Sequence, residues 1–171
     1  MAEGENTDRP QAKPLPHALT VLRRVRQTGS RSILQPIRHL LPSFPMKLLL
    51  VEDARVMAQS LCRQLSTLGY TDVTVALSAE EALDRLRERD FDAVLLDWLL
   101  PKMSGLELLQ MIRSSRRLAK LPVVMTTANG ERGDVMDAFD AGATDYLIKP
   151  FVLAALEEKM TALAQRVARE R

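Results

Sequence analysis

Cysteine, histidine and long apolar runs are scarce in this chain, and each scarcity excludes something. The 171 residues hold one cysteine, Cys62. A single cysteine forms no internal disulfide and suits a reducing compartment. It falls inside a helical apolar pattern and reads as a small packing residue rather than a nucleophile. The two histidines, His17 and His39, stand near no carboxylate or cysteine cluster. A zinc site and a histidine-based catalytic dyad therefore lack candidates. No apolar stretch approaches the ~20 residues that span a bilayer. Secretory and mitochondrial leaders are also disfavoured, because Glu3, Glu5 and Asp8 occupy the start and no apolar segment follows them.

What is present divides at Met46. The chain is 46% hydrophobic with a formal net charge of +2, enough for one domain with a sizeable core. Residues 1–45 hold seven Lys or Arg against three Asp or Glu, a balance of +4, while the remaining 17 and 19 give −2. That first segment also carries six of the nine prolines, a density that opposes packing. The expectation is a disordered Pro-rich basic extension over 1–45 and one folded domain over 46–168. Two basic amphipathic patches, 19–26 and 33–41, suit acidic lipid or nucleic acid. A solvated arm, or upstream sequence translated ahead of a natural start at Met46, is the preferred explanation. No aromatic interleaving supports single-strand nucleic-acid binding.

From Met46 onward, strand and helix patterns alternate. Strands are predicted at Lys47–Val51, Val73–Ala76, Ala93–Leu96, Leu121–Thr126 and Tyr146–Ile148. Helices are predicted at Val56–Leu68, after Ser78, after Ser104, at Val135–Ala141 and from Leu153 onward. Ser78 with Glu81, and Ser104 with Glu107, have the spacing of capping boxes. Leu153, Leu156, Met160, Leu163 and Val167 form one stripe on the last helix. Five alternating pairs imply an α/β fold with a doubly wound, all-parallel sheet.

The strand ends carry the chemistry. Apolar runs lead into Glu52-Asp53, into Asp97, into Thr127 and into Lys149-Pro150. In a parallel sheet these ends share one side, where ligands bind. Two carboxylates at 4 Å repel by about 4 kcal/mol at an effective dielectric near 20. Glu52, Asp53 and Asp97 together thus need raised pKa values or a cation. Hard oxygen donors with room for water suit Mg2+. Any single acid here would pass for a loop or cap residue; the combination with Thr127 and Lys149 does not.

These residues resemble the receiver domain of bacterial two-component response regulators, especially the single-domain chemotaxis type. The matching pieces are 50–53, 95–105, 125–128 and 141–151. The resemblance implies a flavodoxin-like strand order, 2-1-3-4-5. It implies that Asp97 accepts a phosphoryl group from a sensor histidine kinase or a histidine phosphotransfer protein. Glu52, Asp53, Asp97 and the Leu99 backbone carbonyl would hold Mg2+. Thr127 and Lys149 would hold phosphoryl oxygens, and Thr127 and Tyr146 would form the switch. The output protein would meet the fourth helix, fifth strand and fifth helix.

Further expectations follow from that reading. The protein acts in the cytoplasm, without a transmembrane segment or direct DNA binding by the receiver, and is not a turnover enzyme. Leu99 stands where a polar side chain often lies in the chemotaxis type, and leucine orients no attacking water. Self-dephosphorylation should be slow, with Asn129 a partial offset. The position before Gly105 is Ser104 rather than an acid. Two alternatives compete. A haloacid-dehalogenase-like phosphohydrolase wants its nucleophile on the first strand and an acid two residues later, where this chain has Leu99. An unphosphorylated scaffold needs none of the acid, hydroxyl and amine set.

Overall fold

Ten elements alternate along the described residues. The computed structural model describes residues 45–128 and 132–171. All of the expected arm except Pro45, and Asn129 as well, lie outside them. The elements are β1 (Lys47–Val51), α1 (Arg55–Thr67), β2 (Asp72–Ala76), α2 (Ala79–Glu88) and β3 (Ala93–Asp97). They continue with α3 (Gly105–Ser114), β4 (Val123–Thr127), α4 (Arg132–Asp140), β5 (Asp145–Ile148) and α5 (Leu153–Glu170). The strands pair in parallel in the order β2-β1-β3-β4-β5. This is the doubly wound, flavodoxin-like sheet that the alternation and the resemblance implied.

Successive strand residues face opposite sides, and the core divides accordingly. Leu48, Leu50, Leu95 and Val124 pack with Leu61 and Leu65 of α1 and Leu156 and Met160 of α5. Leu49, Val51, Leu96 and Met125 pack with Leu86 of α2 and Leu108 and Ile112 of α3. Both faces are covered, so the central strands read as continuous apolar runs. Each fully buried Leu or Ile contributes about 1.5–3 kcal/mol. Cys62 is partly buried against the first of these clusters, and burial pushes its thiol pKa up, as expected of a packing residue.

Several boundaries differ from the predicted ones. β3 runs one residue further, through Asp97, because Asp97 pairs with Thr126 and Trp98 N–H donates to Thr126 O at 2.9 Å. The ladder therefore grips the acid itself. β4 starts after Pro122, which has no N–H to donate, and reaches Thr127. α4 begins at Arg132 rather than Val135. The Ser104–Glu107 capping box is complete. At α2 only half of one forms: Ser78 Oγ accepts from Glu81 N–H at 3.2 Å, while the Glu81 carboxylate accepts from Leu77 N–H at 2.9 Å. On α5, Leu156, Met160, Leu163 and Val167 are buried, but Leu153 in the first turn is 39% exposed.

Candidate functional site

Three carboxylates meet at the carboxyl edge of the sheet. Ligand atoms of Glu52, Asp53 and Asp97 all lie within 4.8 Å of one another. Glu52 follows β1, held by its N–H to Ala76 O at 3.0 Å, and Asp97 closes β3. Both are buried, whereas Asp53 is exposed. Two fixed acids and one facing solvent leave an open side through which a hydrated cation can enter.

Lys149 binds this cluster from β5's end. Its Nζ lies 2.6 Å from Glu52 Oε2 and 2.9 Å from Asp97 Oδ2. The Lys149–Pro150 peptide bond is cis. Burial raises the pKa of Glu52; the Lys149 hydrogen bond offsets part of that, and the Asp97 charge adds to it. Burial alone would lower that of Lys149, but its bonds to Glu52 and Asp97 prevail and hold the proton more tightly than usual. The site is thus a crowded acid cluster partly neutralised by one ammonium. Such a donor set fits a divalent cation.

The other sequence-predicted residues border it. Thr127 ends β4, is buried, and its carbonyl accepts from Lys149 N–H at 2.7 Å. Ala128 beside it is exposed. Leu99 presents its side chain outward, 67% exposed. Tyr146 lies one strand over, in register with Met125. Its ring meets Phe139 edge-on at 5.8 Å and Lys159 Nζ sits 5.5 Å from its centroid.

Sequence reasoning missed two features. A Cβ on Gly105 would lie 2.0 Å from Asp97 O and 2.9 Å from Asp97 C. Only glycine lets α3 start so close to β3. Its place in the matching motif was visible, but its contact with the Asp97 backbone was not. The second is an apolar rim: Val56, Leu99 and Val152 are 82%, 67% and 69% exposed. Each stands two or three residues beyond a site residue, which is the only trace it leaves in the sequence.

Residues 48–161 match the response regulator receiver domain model. The chain belongs to that family. It is 37% identical over 122 residues to the chemotaxis protein CheY of Pseudomonas aeruginosa, covering 71% of this chain and 98% of that one. Among solved structures, a response regulator from Chloroflexus aurantiacus superposes with a TM-score of 0.68. It is 36% identical, with 72% of this chain and all (100%) of that one covered. The receiver domain of the sensor histidine kinase PA1611 of Pseudomonas aeruginosa has a TM-score of 0.65 at 31% identity, covering 71% and 99%. That structure has a magnesium ion coordinated in its active-site cleft. As a CheY-like receiver, the protein is a component of phosphorelay signalling and not a turnover enzyme. No helix among the described residues is long and apolar enough to cross a membrane.

Proposed function

We propose that this receiver, spanning residues 46–168, accepts a phosphoryl group on Asp97 in a Mg2+-dependent step and signals by phosphorylation-dependent protein binding. The observation that carries the reading is the buried Asp97 carboxylate within 4.8 Å of two further acids and 2.9 Å from an ammonium. Glu52, Asp53, Asp97 and the Leu99 carbonyl would hold the cation. When bound, it would neutralise charge on the transferring oxygens, which phosphoryl transfer needs more than covalent help.

In the proposed step, an Asp97 carboxylate oxygen attacks phosphorus and forms the O–P bond. The N–P bond to the donor histidine breaks, and its electron pair returns to the imidazole. Lys149 moves from bridging Glu52 and Asp97 to the new phosphoryl oxygens, which the Thr127 hydroxyl also meets. The aspartyl phosphate adds roughly −1.5 to −2 of charge. Contacts made only in that state shift the conformational balance. Moving it from 1:99 to 99:1 takes ~5.5 kcal/mol. The donor, a histidine kinase or phosphotransfer protein, would dock on the apolar rim of Val56, Leu99 and Val152. The output partner would meet α4, β5 and α5, where Met136, Phe139 and Ile148 are 62%, 46% and 42% exposed. The proposed location is the cytoplasm, on the single cysteine and the kinase donor.

Acetyl phosphate labelling with and without Mg2+, read by peptide mass spectrometry, tests the step. Label on the peptide holding Asp97, dependent on Mg2+, is expected; label elsewhere rejects it. Leu99 offers no polar atom to orient water, so the phosphoryl half-life should be long. A half-life of seconds contradicts that part.

A further inference from the structure

A second charged cluster lies at the opposite end of the sheet. A cleft of about 720 Å3 beside the amino ends of β4 and β5 is lined by Arg113, Lys120, Gly142, Thr144, Arg166 and Glu170, among others. Its volume falls within the range of small-molecule sites. Thr144 closes the strand end: its N–H donates to Val123 O at 2.8 Å, and its Oγ1 accepts from Val123 N–H at 3.0 Å.

Arg113, near the end of α3, is the fixed point. Its Nε donates to Gly142 O at 2.8 Å and its Nη1 to Leu121 O at 2.9 Å. Carbonyl partners orient the guanidinium without cancelling its charge, and Nη2 has no hydrogen-bond partner among the described residues. Burial lowers the pKa of Arg113, and the nearby Arg166 charge lowers it further. Glu170 faces the cleft too, but it pairs with Arg166 at 3.0 Å. Lys120 has no ion pair among the described residues. Three cations against one carboxylate leave a formal +2 around the cleft. A structural tie between loops explains Arg113 alone. It does not explain why Lys120 joins it, since like charges repel and that ammonium has no opposing partner among the described residues.

We propose that this cleft binds a small anion bearing two adjacent phosphoryl groups, held by Arg113, Lys120 and Arg166. The planar guanidinium fork suits phosphate oxygens, and lysine adds a point charge. No aromatic side chain lines the cleft among the described residues, so recognition rests on the phosphates rather than on a stacked base.

The test is a Mg2+-free titration of the full chain with pyrophosphate, followed by amide shifts. Orthophosphate, ADP and anionic-lipid vesicles form parallel arms. Saturable pyrophosphate binding in the micromolar range is expected, with shifts at Gly142, Ala143 and Thr144. ADP should bind no more tightly than pyrophosphate, and orthophosphate at least tenfold more weakly. Vesicle binding that pyrophosphate displaces also supports the site and assigns its phosphates to a lipid headgroup. The double variant Lys120→Gln with Arg166→Gln should weaken binding at least tenfold with its thermal transition kept. The single exposed change Lys120→Glu, which leaves both arginines, should weaken it in the same direction. Three results overturn the proposal: no saturation, unchanged affinity in the variants, or shifts centred on Asp97 and Lys149.

Discussion

The two ends of this sheet carry opposite charge, and they are built differently. At the carboxyl edge, three acids meet one lysine, a formal −2. At the amino edge, three cations meet one carboxylate, a formal +2. The acids sit on or immediately after strands, so the sheet's hydrogen bonds fix them and their spacing follows from strand register. The cations come from α3, a loop and α5, and a single arginine bonded to backbone carbonyls organises them. The first site is rigid because of where it lies on the sheet; the second depends on side chains.

The two tight glycines break the comparison most sharply. At the acid end, Gly105 faces backbone atoms, the nearest 2.0 Å from an added Cβ. Backbone of a central strand cannot yield, so Gly105→Ala should cost about 3 kcal/mol, at the upper end for overpacking. Urea denaturation measures this, and Mg2+ affinity should fall with it. An unaltered midpoint would mean that α3 moves freely away from Asp97.

Removing the one ammonium sharpens the electrostatic side. Lys149→Gln leaves Glu52 and Asp97, both buried, without their cation. We expect a loss of about 2 kcal/mol without Mg2+, somewhat less than for breaking a fully buried pair. Added Mg2+ should then restore more stability in the variant than in the parent. Equal gains would mean that Lys149 does not offset the acid cluster.

Acidity gives a third comparison. Burial holds the Glu52 pKa above the ordinary carboxylate range, so protons compete with the cation there. Mg2+ affinity should be full above that raised value and fall as pH drops through it. The slope reaches about tenfold per pH unit for one proton. Stability without Mg2+ has the opposite sign: the Glu52 contribution is present below its unfolded pKa and is lost as pH rises through the folded one. Calorimetric titration of Mg2+ between pH 4 and 8 reads the first effect, and pH-dependent unfolding reads the second.

The smallest expected effect is at the basic end. Gly142 has φ of +95°, and a Cβ there would meet the Arg113 side chain at 3.0 Å. That neighbour is a side chain rather than backbone and needs to give by only a few tenths of an ångström, so the cost of Gly142→Ala is mainly backbone strain, about 1 kcal/mol. A loss as large as at Gly105 would mean that Arg113 is as immovable as a strand.

Much of the acid end was legible in the sequence because it follows chain order. Four apolar runs, each ending in a chemical group, name Glu52, Asp53, Asp97, Thr127 and Lys149 directly, and parallel topology brings their ends together. Asp97's inclusion in β3 was missed because the ladder that grips it runs to Thr126, which is distant in sequence. The half-formed cap at α2 was missed because Glu81 chose between two N–H donors one residue apart. The exposure of Leu153 escaped because a helical stripe does not reveal where the sheet beneath it ends. The basic cleft left no trace: Arg113, Lys120 and Arg166 share no period, and only the fold makes them neighbours. Gly105 lies between these cases, visible as a helix-start residue but not as the contact that admits α3 to the Asp97 backbone.

The central claim is that the Asp97 carboxylate accepts the phosphoryl group. Its most direct test is phosphate stoichiometry after acetyl phosphate and Mg2+ treatment of parent and Asp97→Asn proteins, by intact mass. The account predicts close to one phosphoryl group on the parent and none on the variant. Equal incorporation in both would contradict it.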